Sequence, residues 1–309
     1  MFAEALNLSN GTALEPPRIR SEEIAFLQYT GGTTGASKGA MLSHGNMVAN
    51  ILQVDSWFER SIATAEEIVI TALPLYHIYA LTVNCFGFFH QVGLNYLITD
   101  PRDTDRFIKE LRHLRFSGIA GVNTLFKSLL SHDKIKQVDF SFLKYSSGGG
   151  AAIERSVADA WEKLTGKTIS EGYGLTEASP VVCVNPFELA ELTGCIGIPV
   201  PATECRIVKN DGADAEIDEP GELYVRGPQV MRGYWERPQE TAEVLDHEGW
   251  LHTGDIALLR EDGYFKLVDR KKDLILVSGF NVYPNEIEQV VASQCWRGRG
   301  NWGARSENN

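Results

Sequence analysis

Strand-like apolar segments alternate with helical segments through much of this chain, and this alternation limits the fold more than any other sequence feature. The strand candidates are, in order, "IAFLQY", "EIVITALPL", "LNYLIT", "FSGIAGV" and "FLKYSSGGG". Helical patterns follow them: a segment from about Ser43 through "NMVANILQVDSWF", then "YALTVNCFGFFHQV", "DTDRFIKELRHLR", "NTLFKSLLSH" and "IERSVADAWEKLTG". This order predicts an α/β fold with a mostly parallel sheet covered by helices.

The pattern changes after about Pro186. The segments "GIPVPATECRIVKNDG", "GELYVRGP" and "GYFKLVDR" are short strands separated by Gly, Pro and Asp turns, which is typical of a smaller antiparallel sheet or barrel. We therefore predict a lead-in at 1–23, an α/β subdomain at 24–186, a β-rich subdomain at 187–270, the start of a further domain at 271–293 and an aberrant tail at 294–309.

Charge and composition argue against several classes of function. A formal net charge of −12 without a basic stripe argues against nucleic-acid binding and against attachment to anionic lipid by charge alone. Five cysteines without C-x-x-C spacing favour reduced thiols and a cytoplasmic location. No signal peptide is evident. The most lipophilic run, "YALTVNCFGFFHQVGLNYLI", is interrupted by Asn84, His90, Gln91 and Asn95 and predicts a buried helix and strand rather than a membrane span.

The loop "YTGGTTGASKGAMLSHGN" predicts a phosphate site. Its glycines allow backbone N–H groups to converge on an anion, and we expect a helix to begin directly after the loop and add its dipole. The polar donors are the hydroxyls of Thr30, Thr33, Thr34 and Ser37 and the ammonium of Lys38. The structural alternative is a mobile surface loop.

Spacing separates this loop from the Walker A element, which requires G-x-x-x-x-G-K followed by Ser or Thr. Lys38 instead follows Ser37 and precedes Gly39. A P-loop kinase or NTPase is therefore disfavoured.

The loop closely resembles the phosphate-binding signature of the AMP-forming acyl-CoA synthetases, which are adenylate-forming enzymes. Four further segments match in order: "LPLYHIYAL", "SSGGGAAI", "EGYGLTEASP" and "GWLHTGDIALLREDGYFKLVDRKKDLILVSGFNVYPNEIE". The resemblance runs from about Ile24 to Val291 and is greatest to bacterial long-chain fatty-acid–CoA ligases. It implies an adenylate-forming large domain, in which a mostly parallel, helix-covered sheet is followed by a smaller antiparallel sheet or barrel.

The resemblance also implies a two-step reaction that uses ATP, Mg²⁺ and coenzyme A. A fatty-acid carboxylate attacks the α-phosphate of ATP to give acyl-AMP and pyrophosphate, and the thiol of coenzyme A then displaces AMP. The implied partners are therefore fatty acid, ATP and coenzyme A. Long-chain substrates make a peripheral contact with the inner membrane face a further expectation, and the sequence does not give the oligomeric state.

The same resemblance assigns the ligand-binding residues. The β- and γ-phosphates are assigned to Thr30, Gly31, Gly32, Thr33, Thr34, Gly35, Ser37 and Lys38. The adenine is assigned to Tyr173, and Gly174 is a further nucleotide-binding residue. Gly149, Gly150 and Ala151 lie in a segment whose backbone flat ligands can approach, with adenine on one side and an acyl chain on the other. The remaining assignments are Asp255 and Arg270 for the ribose, Lys272 for a hinge to a small C-terminal domain, and Gly279 for the thiol tunnel.

The assigned catalytic residues are Lys38, His77, Thr176 and Glu177. Thr176 is assigned to the α-phosphate, Glu177 to Mg²⁺ as a hard oxygen ligand, and His77 to the mouth of the acyl site. The other histidines show no metal-ligand spacing, so we expect no zinc site. Ordinary structural roles are the alternative: a core position for Tyr173 or His77, a solvated carboxylate for Glu177 and a turn position for Asp255.

Departures from the family pattern give further expectations. Nothing after Val291 matches the lysine near the end of the family's C-terminal domain, and the part of the large domain before the glycine loop has no counterpart. We therefore expect a chain truncated at both ends, with its small C-terminal domain missing and little or no adenylation activity. A frameshift near Gln294 is our hypothesis for the tail, and the gene's nucleotide sequence tests it.

Two alternatives to a long-chain fatty-acid–CoA ligase stay open. One is an adenylating ligase for an aryl, amino or medium-chain acid, since the sequence does not give the depth of the acyl pocket. The other is a non-catalytic nucleotide-binding remnant, which would bind ATP without turnover.

Overall fold

The computed structural model describes residues 16–30, 37–58, 66–189, 191–271, 275–277, 280–282 and 284. Its first elements are an antiparallel hairpin of β1 (Ile24–Thr30) and β2 (Lys38–Ser43), followed by helix α1 (His44–Phe58). The predicted aberrant tail at 294–309 lies outside the described residues, and so does the site proposed for the frameshift.

The position of β2 corrects one prediction. The helix begins at His44, close to its predicted start at about Ser43, but Lys38–Ser43 form a strand that separates it from the glycine loop. The strand forms because its main chain has partners on two sides, β1 on one and residues 233–235 on the other. The predicted contribution of a helix dipole to the phosphate loop is therefore wrong.

The largest sheet places seven strands side by side. They are β3 (Ile68–Thr71), β4 (Leu94–Leu97), β5 (Gly118–Gly121), β6 (Tyr145–Gly148), β7 (Ile169–Gly174), β8 (Val181–Val184) and β9 (Ile198–Pro199). Their spatial order is β4-β3-β5-β6-β7-β8-β9; the first five are parallel, and β8 and β9 pair antiparallel. The predicted mostly parallel sheet is confirmed.

Helices lie between these strands, as the alternation predicted. They are a π-helical segment (Ala80–Gly87) that continues as Phe88–His90, then α2 (Thr104–Leu111), α3 (Asn123–Ser131), α4 (Arg155–Thr165) and, later in the chain, α5 (Pro238–Val244). Short 3₁₀ turns cover Asp133–Gln137 and Thr176–Ala178. Helix α2 lies in the segment "DTDRFIKELRHLR" that was predicted to be helical, and its start is capped by the Asp103 side chain, which accepts a hydrogen bond from the Arg106 amide at 3.0 Å.

The core of the α/β part is a cluster of large side chains between the parallel strands and α2, α3 and α4. Phe126 and Trp161 pack edge to face with ring centroids 4.9 Å apart, and both are fully buried. The indole N–H of Trp161 donates to Ser146 Oγ at 2.9 Å, so the polar atom of this buried ring is satisfied. Burial of such rings fixes α3 and α4 on the sheet.

A four-stranded antiparallel sheet follows in the chain. It comprises β10 (Glu204–Val208), β11 (Gly221–Arg226), β12 (Leu251–Leu259) and β13 (Phe265–Arg270), in that spatial order. A two-stranded hairpin of β14 (Ile275–Val277) and β15 (Phe280–Val282) comes after it. The domain boundaries drawn from the sequence stay predictions. In the described part of the chain, no helix has the length and apolar character needed to cross a membrane.

We predict that Gly118→Ala destabilises the sheet strongly, because a Cβ at Gly118 would lie 2.1 Å from Cζ of Tyr145. The tyrosine ring cannot move easily, since the rings of Phe58 and Phe88 pack against it. We expect a loss of about 3 kcal/mol in the free energy of unfolding, measured by urea denaturation.

Gly166→Ala is the control for this prediction. Gly166 has φ +71° at the end of α4 and open space around its Cβ position, so only backbone strain opposes the alanine. The expected cost is about 1 kcal/mol. Equal losses in the two variants would contradict the steric explanation for Gly118.

Candidate active site

A cleft of about 2420 Å³ is lined by residues of both large sheets and of the β1–β2 hairpin. The predicted site residues that line it are Thr30, Lys38, His77, Gly149, Gly150, Ala151, Tyr173, Gly174, Thr176, Glu177, Asp255 and Arg270. Ser37 is exposed beside the hairpin and is not among the lining residues. Gly31, Gly32, Thr33, Thr34, Gly35, Lys272 and Gly279 lie outside the described residues.

The hairpin brings the two ends of the glycine loop together. Thr30 and Lys38 are paired across β1 and β2, and Thr30 Oγ1 donates to the Lys38 carbonyl at 3.5 Å. The Lys38 ammonium lies 5.0 Å from the ring centroid of Tyr234, within the range of a cation–π contact. A positive charge therefore lines the cleft at the base of the loop.

The Thr176–Ala178 turn carries the predicted metal ligand. The Glu177 carbonyl accepts a hydrogen bond from the Met231 amide at 2.7 Å, and Glu177 Oε1 accepts one from the Tyr234 hydroxyl at 2.6 Å. Burial, and after it the neighbouring Glu177 carboxylate, raises the pKa of Tyr234, so this hydroxyl keeps its proton. Glu177 is thus held by one hydrogen bond to its main chain and one to its side chain.

The oxygen atoms of Thr176 and Glu177 fit one mode of Mg²⁺ binding. Mg²⁺ is commonly held by one or two carboxylates together with oxygens of substrate phosphates and water, and Glu177 offers such a carboxylate beside the Thr176 hydroxyl. Among the residues that the structure describes, no group of three or more His, Cys, Asp or Glu side chains could hold a metal ion.

Tyr173, Asp255 and Arg270 form a second polar group in the cleft. The Tyr173 hydroxyl donates to Asp255 Oδ2 at 2.6 Å, and Arg270 Nε lies 3.4 Å from Asp255 Oδ1. Asp255 and Arg270 are opposite each other in the β12–β13 register. Burial is the largest cause of the raised pKa of Tyr173, followed by the charge of Asp255. Two oxygens of one buried carboxylate are thus oriented by neighbours on different elements.

Glu222 supports this group from β11. Its Oε1 accepts a hydrogen bond from the Gly254 amide at 3.1 Å, and its Oε2 accepts one from the Lys271 ammonium at 2.7 Å. The carboxylate is largely buried, with a side-chain exposure of 10%. Glu222 therefore fixes the residue before Asp255 and the residue after Arg270 with one side chain.

The glycine segment after β6 forms another wall of the cleft. A Cβ at Gly149 would lie 3.3 Å from the Gly172 carbonyl and from the Tyr79 ring. Any larger residue at position 149 would therefore require its neighbours in this wall to shift. The Ile153 amide, at the end of the segment, donates to Glu171 Oε1 at 2.9 Å. Burial raises the pKa of Glu171 to about 7, although the hydrogen bond from Ile153 opposes the rise.

His77 is exposed at the edge of the cleft. Its Nδ1 accepts a hydrogen bond from the Tyr79 amide at 3.2 Å. The Tyr79 hydroxyl shares a hydrogen bond with Ser147 Oγ at 3.0 Å, and burial raises the pKa of Tyr79 to about 12. His77 is thus not the core histidine that the structural alternative described.

One part of the cleft is apolar. Its hydrophobic lining residues include Val54, Trp57, Phe58, Val83, Val181, Val184 and Phe187. The rings of Phe58 and Phe187 stack with centroids 4.9 Å apart. The one polar side-chain atom among these seven residues is the indole nitrogen of Trp57, which donates to the Asn185 carbonyl at 3.3 Å, so the wall suits hydrocarbon or a flat apolar group.

Four residues of this site were missed by sequence reasoning: Glu171, Glu222, Tyr234 and Lys271. Glu171 and Lys271 lie inside the quoted motifs, so their motif position was a usable signal. Glu222 and Tyr234 had no such signal, because each contacts its partners across dozens of intervening residues.

The fold is that of an adenylate-forming, acyl-CoA synthetase-like domain. ATP-bound MatB from Rhodopseudomonas palustris is similar with a TM-score of 0.81 and 30% sequence identity, over 89% of this chain and 54% of that chain. The profile of the AMP-binding enzyme family matches residues 2–235. The chain belongs to this family.

Bacterial ligases are similar over nearly the whole chain. A long-chain-fatty-acid–CoA ligase from Escherichia coli O157:H7 is 54% identical over 286 residues, covering 92% of this chain and 51% of the relative. One from Yersinia pestis is 55% identical over 276 residues, covering 89% and 49%. The resemblance inferred from the motifs is confirmed, and the chain spans about half the length of the curated relatives it matches.

We predict a pH-dependent stability difference between Glu171→Gln and the wild type. A carboxyl group whose pKa rises from 4.5 to about 7 on folding binds its proton more tightly in the folded state. The wild type therefore loses stability as pH rises through this interval, by an amount of order 3 kcal/mol. The glutamine still accepts from Ile153 but does not ionise. Urea denaturation at several pH values should thus show that the free energy of unfolding of the variant increases relative to that of the wild type from pH 4.5 to pH 8.

Glu154→Gln is the matched control. Glu154 is exposed, and the Lys127 ammonium holds the pKa of its carboxyl below the usual value. Its charged form is therefore favoured by folding, and its removal should not stabilise the protein at high pH. A Glu171→Gln effect that does not change between pH 4.5 and pH 8 would contradict the burial of this carboxyl group.

Proposed function

We propose that the cleft binds ATP and a fatty acid and joins them as an acyl adenylate, which is then transferred to coenzyme A. One observation carries the proposal: Lys38, Glu177 and Asp255 come from three distant segments and line a single cleft. Membership of the AMP-binding enzyme family, and similarity to long-chain-fatty-acid–CoA ligases, support it.

The triphosphate would lie between the hairpin and the Thr176–Ala178 turn. Lys38 supplies a positive charge there, and the amides of the glycine loop would add further donors to the β- and γ-phosphates. Thr176 would donate to the α-phosphate and Glu177 would hold Mg²⁺. When bound, Mg²⁺ would help to neutralise the charge on the phosphate oxygens.

The nucleoside would extend from the phosphates towards β12. Asp255 would accept the ribose hydroxyls, and Arg270 would add a contact to the ribose or the phosphate. Tyr173 and Gly174, with the wall formed by Gly149, Gly150 and Ala151, would hold the adenine. The hydrogen bond from Tyr173 to Asp255 supports a shared position of base and ribose.

The chemistry would proceed by two displacements. A carboxylate oxygen attacks the α-phosphorus as the bond to the β-phosphate oxygen breaks, and pyrophosphate leaves. The coenzyme A sulfur then attacks the acyl carbon and AMP leaves, with the thiol proton released. Positioning and electrostatic stabilisation of phosphate charge would be the main contributions of the protein.

The apolar wall favours a hydrocarbon tail on the carboxylate. Phe58, Phe187 and the valines beside them would contact the acyl chain, and His77 would lie at the mouth of this site. The alternative is an aryl, amino or medium-chain acid in the same space. Thermal shifts of the protein with ATP and a panel of such acids would separate these substrates.

We also propose a cytoplasmic protein that meets its long-chain substrate at the inner membrane face, as expected for a ligase of this family. Coenzyme A would be the acceptor, with Gly279 at its thiol and Lys272 at the hinge. ATP binding without pyrophosphate release in the presence of fatty acids would instead favour the non-catalytic alternative.

Asp255→Asn tests the proposed ribose contact. We expect ATP affinity, measured by isothermal titration calorimetry with Mg²⁺, to fall roughly tenfold or more, because a hydrogen-bonded charge is lost. The affinity for 2′,3′-dideoxy-ATP should change much less, since this nucleotide lacks the hydroxyls that Asp255 would accept.

Asp214→Asn is the control, because Asp214 is an exposed carboxylate that pairs with Arg206 and does not line the cleft. It should bind both nucleotides as the wild type does. Equal losses of ATP and dideoxy-ATP affinity in Asp255→Asn would refute the ribose assignment. No ATP binding by the wild type would refute the proposed function.

A further inference from the structure

Tyr234 joins two polar groups of the cleft that come from distant parts of the chain. Its hydroxyl donates to Glu177 Oε1 at 2.6 Å, while the Lys38 ammonium lies 5.0 Å from its ring centroid. One side chain thus contacts a carboxylate through its hydroxyl and an ammonium through its ring.

The backbone around Tyr234 is fixed to the same two segments. Tyr234 forms a bridge with Ala40 of β2, and its amide donates to Thr241 Oγ1 at 2.9 Å. The Met231 amide donates to the Glu177 carbonyl at 2.7 Å. Tyr234 as a whole residue is 7% exposed, so its position is set by the core as well as by these bonds.

The two contacts act in different ways. The hydroxyl donates to one carboxylate oxygen and thereby restricts the rotation of the Glu177 side chain, which would otherwise sample several rotamers. The ring offers a negative face to Lys38 without forming an ion pair, so the ammonium keeps its donors for an anion. Neither contact neutralises the group that it holds.

We propose that Tyr234 is a positioning residue that holds Glu177 for the magnesium ion and Lys38 for the phosphates of ATP. This inference rests on the proposed function. Hydrogen-bond partners of metal-ligating carboxylates commonly contribute to metal affinity in this way. Tyr234 therefore acts through Glu177 and Lys38 and not on the reacting atoms.

Tyr234→Phe removes the hydroxyl and keeps the ring. ATP binding by the whole chain is measured by isothermal titration calorimetry over a series of Mg²⁺ concentrations and in EDTA. We expect the Mg²⁺ concentration that gives half of the full affinity gain to rise about tenfold. Affinity for ATP in EDTA should stay within about twofold, because the contact between the ring and Lys38 is retained.

Tyr234→Leu removes the ring as well. It should show the same loss of Mg²⁺ response and, in addition, a roughly threefold weaker binding of ATP in EDTA, because Lys38 loses its aromatic neighbour. Tyr224→Phe is the matched control, since Tyr224 is a half-buried tyrosine of β11 that does not line the cleft. It should leave both measurements unchanged.

The outcomes separate this inference from the proposed function. Failure of the wild type to bind ATP overturns both. A wild type whose ATP binding responds to Mg²⁺, with an equal response in Tyr234→Phe, overturns the inference alone. A parallel loss of ATP affinity with and without Mg²⁺ in Tyr234→Phe also overturns it, since a general structural defect would act in this way.

Discussion

The main-chain pairing of β2 on both of its edges is the constraint on which the cleft depends. One edge of β2 pairs with β1. On the other edge, the Met41 amide donates to the Gly233 carbonyl at 2.9 Å, and the Trp235 amide donates to the Gly39 carbonyl at 2.8 Å. The segment at 231–235 also binds the turn that carries Glu177. Backbone hydrogen bonds therefore connect β2 to the acidic turn through residues 231–235 without relying on flexible side chains. Because these bonds lie among buried residues such as Ala40 and Leu42, breaking one would leave polar groups unsatisfied.

The two large sheets give the cleft two chemically different parts. The parallel sheet contributes the glycine wall and, with α1, the apolar surface around Phe58 and Phe187. The antiparallel sheet contributes carboxylates and cations, with Asp255 and Glu222 on neighbouring strands. A ligand with a hydrocarbon end and a phosphate end matches this division. This layout of the cleft supports the proposed function.

The sequence predicted what depends on local pattern. The alternation of segments predicted the parallel sheet, the segment "DTDRFIKELRHLR" predicted α2, and collinear motifs predicted residues that line one cleft. It failed where distant partners decide the structure: "KGAMLS" becomes a strand because residues 233–235 pair with it. Strands β7 and β12 were not recognised because glycines interrupt the apolar pattern of both sequences. In β12 the backbone also departs from extended geometry at Gly254, which has a positive φ. Tyr234 could not be assigned, since its contact with Glu177 spans 57 residues.

The double contact of Glu222 has a mechanical consequence. Its carboxylate accepts hydrogen bonds from the Gly254 amide and from the Lys271 ammonium. A displacement of Lys271 is therefore transmitted through these two bonds to Gly254, the neighbour of Asp255. The strength of this connection falls as ionic strength rises, because one of the two bonds joins opposite charges and the ammonium is half exposed. Glu222 therefore couples the end of β13 to the backbone beside Asp255 through a contact that salt weakens.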